Sequence, residues 1–584
     1  MRNRTRFLIP FLAVGLVTAA CSSGDTTPST QGSAAAPSAA APADSNSFPR
    51  NETLYSSGTM WGPPANWNPL REWDSATGTK GLLYETLFLY DAATDKFQPW
   101  LAESGEWTGD KEYTLKLRSG ITWSDGKPLT ADDVKFTFEL GKIETVPYHN
   151  IWTFLQSADV VDPQTVKFTF KEARYQQWAN HVYQRAIVPK HIWESVKPEE
   201  VVDFANENPV GTGPYNYHSH DQDRQAWVKR DDWWGVKALG KDVKPKYIVD
   251  IVNSSNEVAM GLLLQKGLDL SNNFLPGVAN LVKGNFGVST YYADAPYMLS
   301  ANTAWLVLNT KKKPMDDPAF RKAMAFSVDT KRIVENVYGN LVKPADPTGM
   351  LPQWDKYVDK AVTGSMGFSF DPEKSKQLLA DAGYKDTDGD GFVNNKDGSK
   401  IDLKIIVPTG WTDWMESIRV ISASAKDVGV SLTPEFPDYN ALVEARSTGK
   451  FDMLINNERQ LSNTPERYYD YVFNMPVQKL QNTVNFGRYE NAKAWELVGQ
   501  LDATKTDDVE GMKKITSELQ KIQLEDMPVI PLWYNGLWSQ VSNSVWKNWP
   551  SDAPNTPKNP PTMWRNWLEL GGVLVLTELQ PAGA

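Results

Sequence analysis

Seven tryptophans offer the clearest chemistry in this chain: Trp61, Trp67, Trp73, Trp411, Trp414, Trp533 and Trp538. An indole covers the apolar C–H face of a pyranose ring while its N–H still donates a hydrogen bond. Trp61 and Trp67 sit in WGPPANWNPL with Asn66, a loop where core filling explains large rings poorly. Trp411 and Trp414 follow V-P-T-G, a strand-to-helix turn of the kind whose exposed end lines ligand crevices. Trp533, Tyr534 and Trp538 lie in MPVIPLWYNGLW. The chain holds 23 Trp beside 22 Tyr and 22 Phe, more indole than a core of Leu, Ile and Val needs, so part of the set is expected in a cleft. For any one indole, core packing is the competing role.

Two polar stretches add to this. Asn456, Asn457 and Glu458 open N-N-E-R-Q-L-S-N-T (456–464) behind the strand-like FDMLI, and their amide and carboxylate groups suit sugar hydroxyls. An ordinary polar loop is the alternative. Asp386, Asp388 and Asp390 with Gly391 match the front of a calcium loop, with Asp397 where a bidentate Glu usually closes it. A polar hairpin turn is the preferred reading, so no metal or other cofactor is expected and calcium is the one candidate. The five His (149, 181, 191, 218, 220) form no H-E-x-x-H, and neither G-x-S-x-G nor a Walker loop occurs. The chain is therefore not expected to be an enzyme. The paired carboxylates of a secreted glycoside hydrolase are set by space rather than by sequence, which keeps that class as an alternative.

The 584 residues divide most naturally into lobes, because a single core stops growing near 250–300 residues. With 60 Lys plus Arg against 71 Asp plus Glu and no basic stripe, nucleic acid is not an expected partner. Three Arg among the first six residues, an apolar run over 7–20 and small residues before Cys21 describe a signal peptide over 1–20. Thr18-Ala19-Ala20-Cys21 resembles a bacterial lipobox, with Thr18 where many carry Leu, so Cys21, the sole cysteine, is the expected lipidation site. Residues 21–49, rich in Ser, Ala, Pro and Thr, read as a flexible tether. LGGVLVLTEL near the C-terminus is too short to span a bilayer.

Local patterns place the elements. NETLYSSGTM reads as a strand, and GLLYETLFLYD as a helix running into a strand. Tyr113, Leu115 and Leu117 alternate as in a half-buried strand, and Thr130 caps a helix carrying Asp132 and Asp133. N-P-V-G-T-G-P-Y (208–215) reads as a sharp turn, and NEVAMGLLLQKGLD (256–269) as a helix stopped by Gly267. AWLVLNT is a buried strand, and Asp317-Pro318 starts a helix that runs on to Gly339.

In order, SDGKPLTADDV, NPVGTGPY, NEVAMGLLLQKGLD and FRKAMAFSVD resemble the extracellular solute-binding proteins of bacterial ABC importers, in the oligopeptide-binding-like family five. The resemblance runs from about Glu52 to the C-terminal region. It implies an α/β fold, a two-lobed clamp with mixed sheets and an extra subdomain in the first lobe. On that template lobe I spans 50–90, 206–303 and 531–584, the subdomain 91–205 and lobe II 304–530. Peptide-binding relatives often carry G-W-x-x-D near the 456–464 loop, the Asp pairing the peptide's free amine; here Leu461 stands at the Asp position. The expected function is thus a lipid-anchored, monomeric binding protein at the outer face of the bacterial membrane or in the periplasm. It captures oligosaccharides, short β-linked ones of cello or xylo type, and passes them to permease subunits. An oligopeptide ligand is the alternative within the family.

Overall fold

The computed structural model describes residues 48–71, 75–91, 94, 96–457, 464–563 and 571–583. The expected signal peptide, Cys21 and the tether up to residue 47 lie outside them, as do Trp73, Glu458 and Leu461.

Strand β1 (Thr53–Ser57) is buried along almost its whole length because it is the centre of a sheet. It runs parallel to β10 (Tyr247–Ile251) and β11 (Leu270–Ser271). The hairpin β8 (Tyr215–His220) and β9 (Arg224–Lys229) extends one side; β19 (Gln540–Ser542) and β12 (Val288–Ser289) complete the other. Asp269, the last residue of the NEVAMGLLLQKGLD run, ties this sheet to the chain's entry. Its carboxylate accepts Tyr55 N at 2.9 Å and pairs with Arg50 at 2.7 Å.

A second sheet has the order β14-β18-β13-β17-β15-β16. Its strands are β13 (Ser300–Leu308), β14 (Lys343–Pro344), β15 (Leu403–Ile406), β16 (Leu432–Glu435), β17 (Met453–Asn457) and β18 (Val529–Gly536). Every residue of β18 and all but the first of β13 are buried, the signature of strands covered on both faces. The inserted subdomain holds the hairpin β2 (Phe88–Asp91) and β3 (Lys96–Pro99) and an antiparallel sheet. That sheet comprises β4 (Ala102–Gly109), β5 (Glu112–Leu117), β6 (Leu155–Asp162) and β7 (Thr165–Phe170). EYTLKL and TVKFTF alternate buried and less buried side chains, as their period of two predicts.

The chain passes between the sheets at β13 and again after β18, and the passages are paired: Ser300 faces Gly536, and Leu537 N donates to Leu299 O at 2.7 Å. The expected boundaries at 303/304 and 530/531 fall inside β13 and β18, both bonded within the second sheet, so the first lobe resumes only after Gly536.

GLLYETL is not a helix. Its carbonyls are taken by the glycine-proline stretch: Gly213 N donates to Leu83 O at 2.8 Å and Tyr215 N to Leu82 O at 2.9 Å. A Cβ on Gly211 would collide with Leu83 O, and one on Gly213 with Leu82 O. The helix begun at Pro318 also stops early, at Ser327, and Asp329 caps a new turn. Thr130 does sit at the expected N-cap, and Asp133 completes a capping box by accepting Thr130 N at 2.9 Å.

Beside the glycines lies a buried carboxylate. Glu85 accepts the indole N–H of Trp100 (2.9 Å), Trp233 (3.3 Å) and Trp234 (2.7 Å). Burial pushes its carboxyl up to about 7 while the indoles and Thr212 pull it back. Asp250, buried beside Ser56 and Thr77, is likewise pushed by burial up to about 7.

Gly213→Ala is expected to cost about 2–4 kcal/mol in urea unfolding, whereas Gly62→Ala, with nothing within 4 Å, leaves stability unchanged. Glu85 and Asp250 hold a proton more tightly folded than unfolded, where their values are 4.5 and 3.8. Their contribution is complete below those values and lost as pH rises through about 7. Their share of the melting temperature therefore falls between about pH 4 and pH 7 and levels off above that, and Glu85→Gln flattens that slope in a thermal scan.

Candidate ligand-binding cleft

In the first sheet the parallel strands β1, β10 and β11 end together at Ser57, Ile251 and Ser271, where antiparallel β19 begins with Gln540. In the second, β15 is parallel to β16 and β17, and β13 is antiparallel to both β17 and β18. Four strands therefore end at one edge, at Ile406, Glu435, Asn457 and Gly536, where β13 starts. Ligands of open α/β sheets bind outside such carboxyl edges.

The two edges face each other. Trp61, beyond β1, meets Trp411, beyond β15, with ring centroids 5.9 Å apart. Asn256 Nδ2 lies 3.4 Å from Thr412 Oγ1, and Phe274, beyond β11, packs on Tyr338 at 5.3 Å. The space between the edges is thus closed over by contacts from both lobes.

The indoles divide sharply. Trp61 is 42% exposed. Trp411 is half-buried, stacked on Tyr439 (5.8 Å, 26°) and edge-on to Trp414 (4.9 Å, 72°). The other four described ones leave the expected cleft for the core. Trp67, 2% exposed, packs on the rings of Tyr217 and His220. Trp414 lies beneath Trp411 at 4% exposure. Trp533 is buried against Tyr338, its Nε1 3.4 Å from Asn535 Oδ1, and Trp538 stacks on the same tyrosine at 6.1 Å.

The polar candidates are largely engaged within the protein. Tyr534 donates to Met350 O (2.7 Å) and accepts Asp346 N (2.9 Å). Asn66 accepts Asn68 N at 2.8 Å and shapes its own loop. Asn456 accepts Arg446 Nη1 at 2.8 Å and donates to Asn457 O (3.1 Å) and to the Tyr471 hydroxyl. Asn457 is the half-buried last residue of β17.

Three residues at these edges escaped the sequence reading. Tyr439, 49% exposed, completes the aromatic surface. Its signal was present: it follows the capping Asp438 just beyond β16. Gln540 and Asn302 are buried; both amide atoms of Gln540 and Oδ1 of Asn302 have no partner among the described residues. Their burial depends on strand pairing and has no local signature.

The carboxylates of Asp386, Asp388 and Asp390 come within 4.8 Å of one another, all exposed. Asp386 accepts Gly389 N (2.6 Å) and Gly391 N (2.9 Å), and Lys400 pairs with Asp388 (3.2 Å) and Asp390 (2.8 Å). Asp397 stands apart from the three and accepts the amide and hydroxyl of Ser399. Lys400 thus already neutralises two of the carboxylates that a calcium ion would need.

Comparison with known proteins places this geometry. The profile for bacterial extracellular solute-binding proteins, family 5 (middle region), matches residues 96–477. The oligopeptide-binding protein AppA of Bacillus subtilis is 27% identical over 482 residues, 81% of this chain and 84% of its own. Among solved structures, a periplasmic oligopeptide-binding protein of an ABC transporter from Thermotoga maritima, with mannohexaose bound, is 43% identical. It superposes with a TM-score of 0.86 over 92% of this chain and 99% of its own. AppA in complex with a nonapeptide, 23% identical with a TM-score of 0.73 over 89% and 98% of the two chains, shares the two-lobed fold.

Trp67→Ala is expected to cost about 3–5 kcal/mol in urea denaturation, while Trp61→Ala stays within about 0.5 kcal/mol of the parent.

Proposed function

We propose that this chain, which belongs to the bacterial extracellular solute-binding proteins of family 5, captures an oligosaccharide for an ABC importer. The observation that carries the sugar reading is the accessible aromatic surface of Trp61, Trp411 and Tyr439 at the mouth of the cleft. Flat apolar rings suit pyranose faces. The mannohexaose held by the 43%-identical relative supports the same ligand class. Inside, the amides of Gln540 and Asn302 are the groups best suited to read hydroxyls, because a buried amide without a partner costs about 1–3 kcal/mol until something bonds it.

Capture works by closure. A ligand resting on one carboxyl edge gains the contacts of the other only when the lobes are shut, and that difference in affinity drives the equilibrium. The ring pair Trp61–Trp411 and the pair Asn256–Thr412 belong to the shut form. In this reading no covalent step occurs and no cofactor is needed. The chain is held at the outer membrane face through Cys21, acts as a monomer, and hands short β-linked sugars to its permease.

The second reading is an oligopeptide, favoured by the relationship to AppA. A thermal-shift panel separates the two, since a ligand that binds only the native state raises the melting temperature. Mannohexaose, cellohexaose or xylohexaose is expected to raise it and a nonapeptide to leave it unchanged; a response to the nonapeptide alone would sink the sugar assignment. Trp411→Ala should weaken binding of the active sugar roughly three- to tenfold.

A further inference from the structure

The helix Tyr175–Gln184 of the inserted subdomain starts without a capping side chain of its own: Arg174 occupies the N-cap position. Helix N-termini leave free amides that Ser, Thr, Asp or Asn at that position usually bind. Here the acceptor comes from the second lobe. Asp502 accepts Gln177 N at 2.9 Å on Oδ1 and Gln177 Nε2 at 2.8 Å on Oδ2, with Arg174 Nη1 3.4 Å from Oδ2. Gln176 Nε2 donates in return to Thr504 O at 2.7 Å, just past the end of the helix Ala492–Asp502. At the far end of the subdomain helix, Arg467 Nη1 donates to Gln184 Oε1 at 2.6 Å.

Asp502 is an odd residue for its own helix. It lies at the C-terminus, where the helix dipole disfavours a negative charge, and it is fully buried. Each of its described hydrogen bonds leaves its own lobe for the subdomain. Among the described residues it makes no side-chain hydrogen bond within the second lobe. Its partners are on an element that reaches the second lobe only when the subdomain rests there.

We infer that Asp502 caps the subdomain helix from the second lobe and so forms a second closing contact, distinct from the ring pair Trp61–Trp411. This rests on reading the protein as a clamp that closes on its solute. The helix is fully capped only in the shut form, so the cap biases the empty clamp toward closure and slows release of whatever it holds. The inserted subdomain is then a strut that sets residence time, in addition to enlarging the first lobe.

The test compares full-length wild type with Asp502→Ala, which removes no described bond inside the second lobe. Small-angle scattering of the ligand-free proteins should give a larger radius of gyration for the variant. Mannohexaose should dissociate from it about tenfold faster, the size expected for losing two hydrogen bonds to a buried carboxyl group, with association unchanged. Gln177→Ala, which deletes one bond from a half-buried position, should move both readouts in the same direction by less. Superimposable scattering curves for wild type and both variants would overturn the proposal. If mannohexaose binds none of the proteins, the sugar reading fails, while the ligand-free scattering still decides the cap.

Discussion

Everything that passes between the lobes runs along two antiparallel strands, β13 and β18. They are the longest paired elements of the second sheet, almost wholly buried, and they enter and leave it side by side at Ser300 and Gly536. Buried on both faces, they have little freedom to bend within the sheet. The bond from Leu537 to Leu299 continues the pair past its edge, and the register shifts between Ser300 and Asn302. A shift of this kind marks a local bend. The constraint is geometric: both connections between the lobes leave the second sheet side by side at that edge, so they fix how the two carboxyl edges face each other.

Much of the scaffold was legible because its signals are local. The period of two in EYTLKL, the capping box at Thr130 and Pro318 at a helix start each depend on a few neighbouring residues, and each took the shape read from them. The order of four motifs carried the family, and the family carried the clamp. NPVGTGPY was recognisable as a fixed path, yet its reason was not. Gly211 and Gly213 are glycines because the backbone of Leu82 and Leu83 passes directly against them, a contact spanning some 130 residues. The same contact explains why GLLYETL, helical by composition, is not a helix: its carbonyls bond elsewhere.

The candidate site was read less well, and the tryptophans show why. Composition suggested a surplus of indoles for a cleft, and loop-like neighbours seemed to exclude Trp67 from the core. Trp67 is held there by the rings of Tyr217 and His220, its Nε1 finding no acceptor among the described residues, while other core indoles are supplied with one. Glu85 serves Trp100, Trp233 and Trp234 at once, the last two arriving from almost 150 residues away. Local chemistry cannot show a buried acceptor that arrives from elsewhere. Asn456 illustrates the converse: its polarity was visible, but Arg446 and Tyr471, which consume it, were visible only in three dimensions. Where a site residue lies at the end of a strand, as Trp411 does, topology gives what composition does not.

The burial of the indoles also fixes what light can report about this protein. Ten of the described tryptophans are less than about 2% exposed, shielded from water and from collisional quenchers. Among the described tryptophans, Trp61, Trp411 and Trp538 have a ring partner on the opposite lobe to lose when the edges separate. The described chromophores therefore amount to a large, steady background with a signal from a few indoles at its edge. A spectroscopist should expect small fractional changes, concentrated in the quenchable part of the emission.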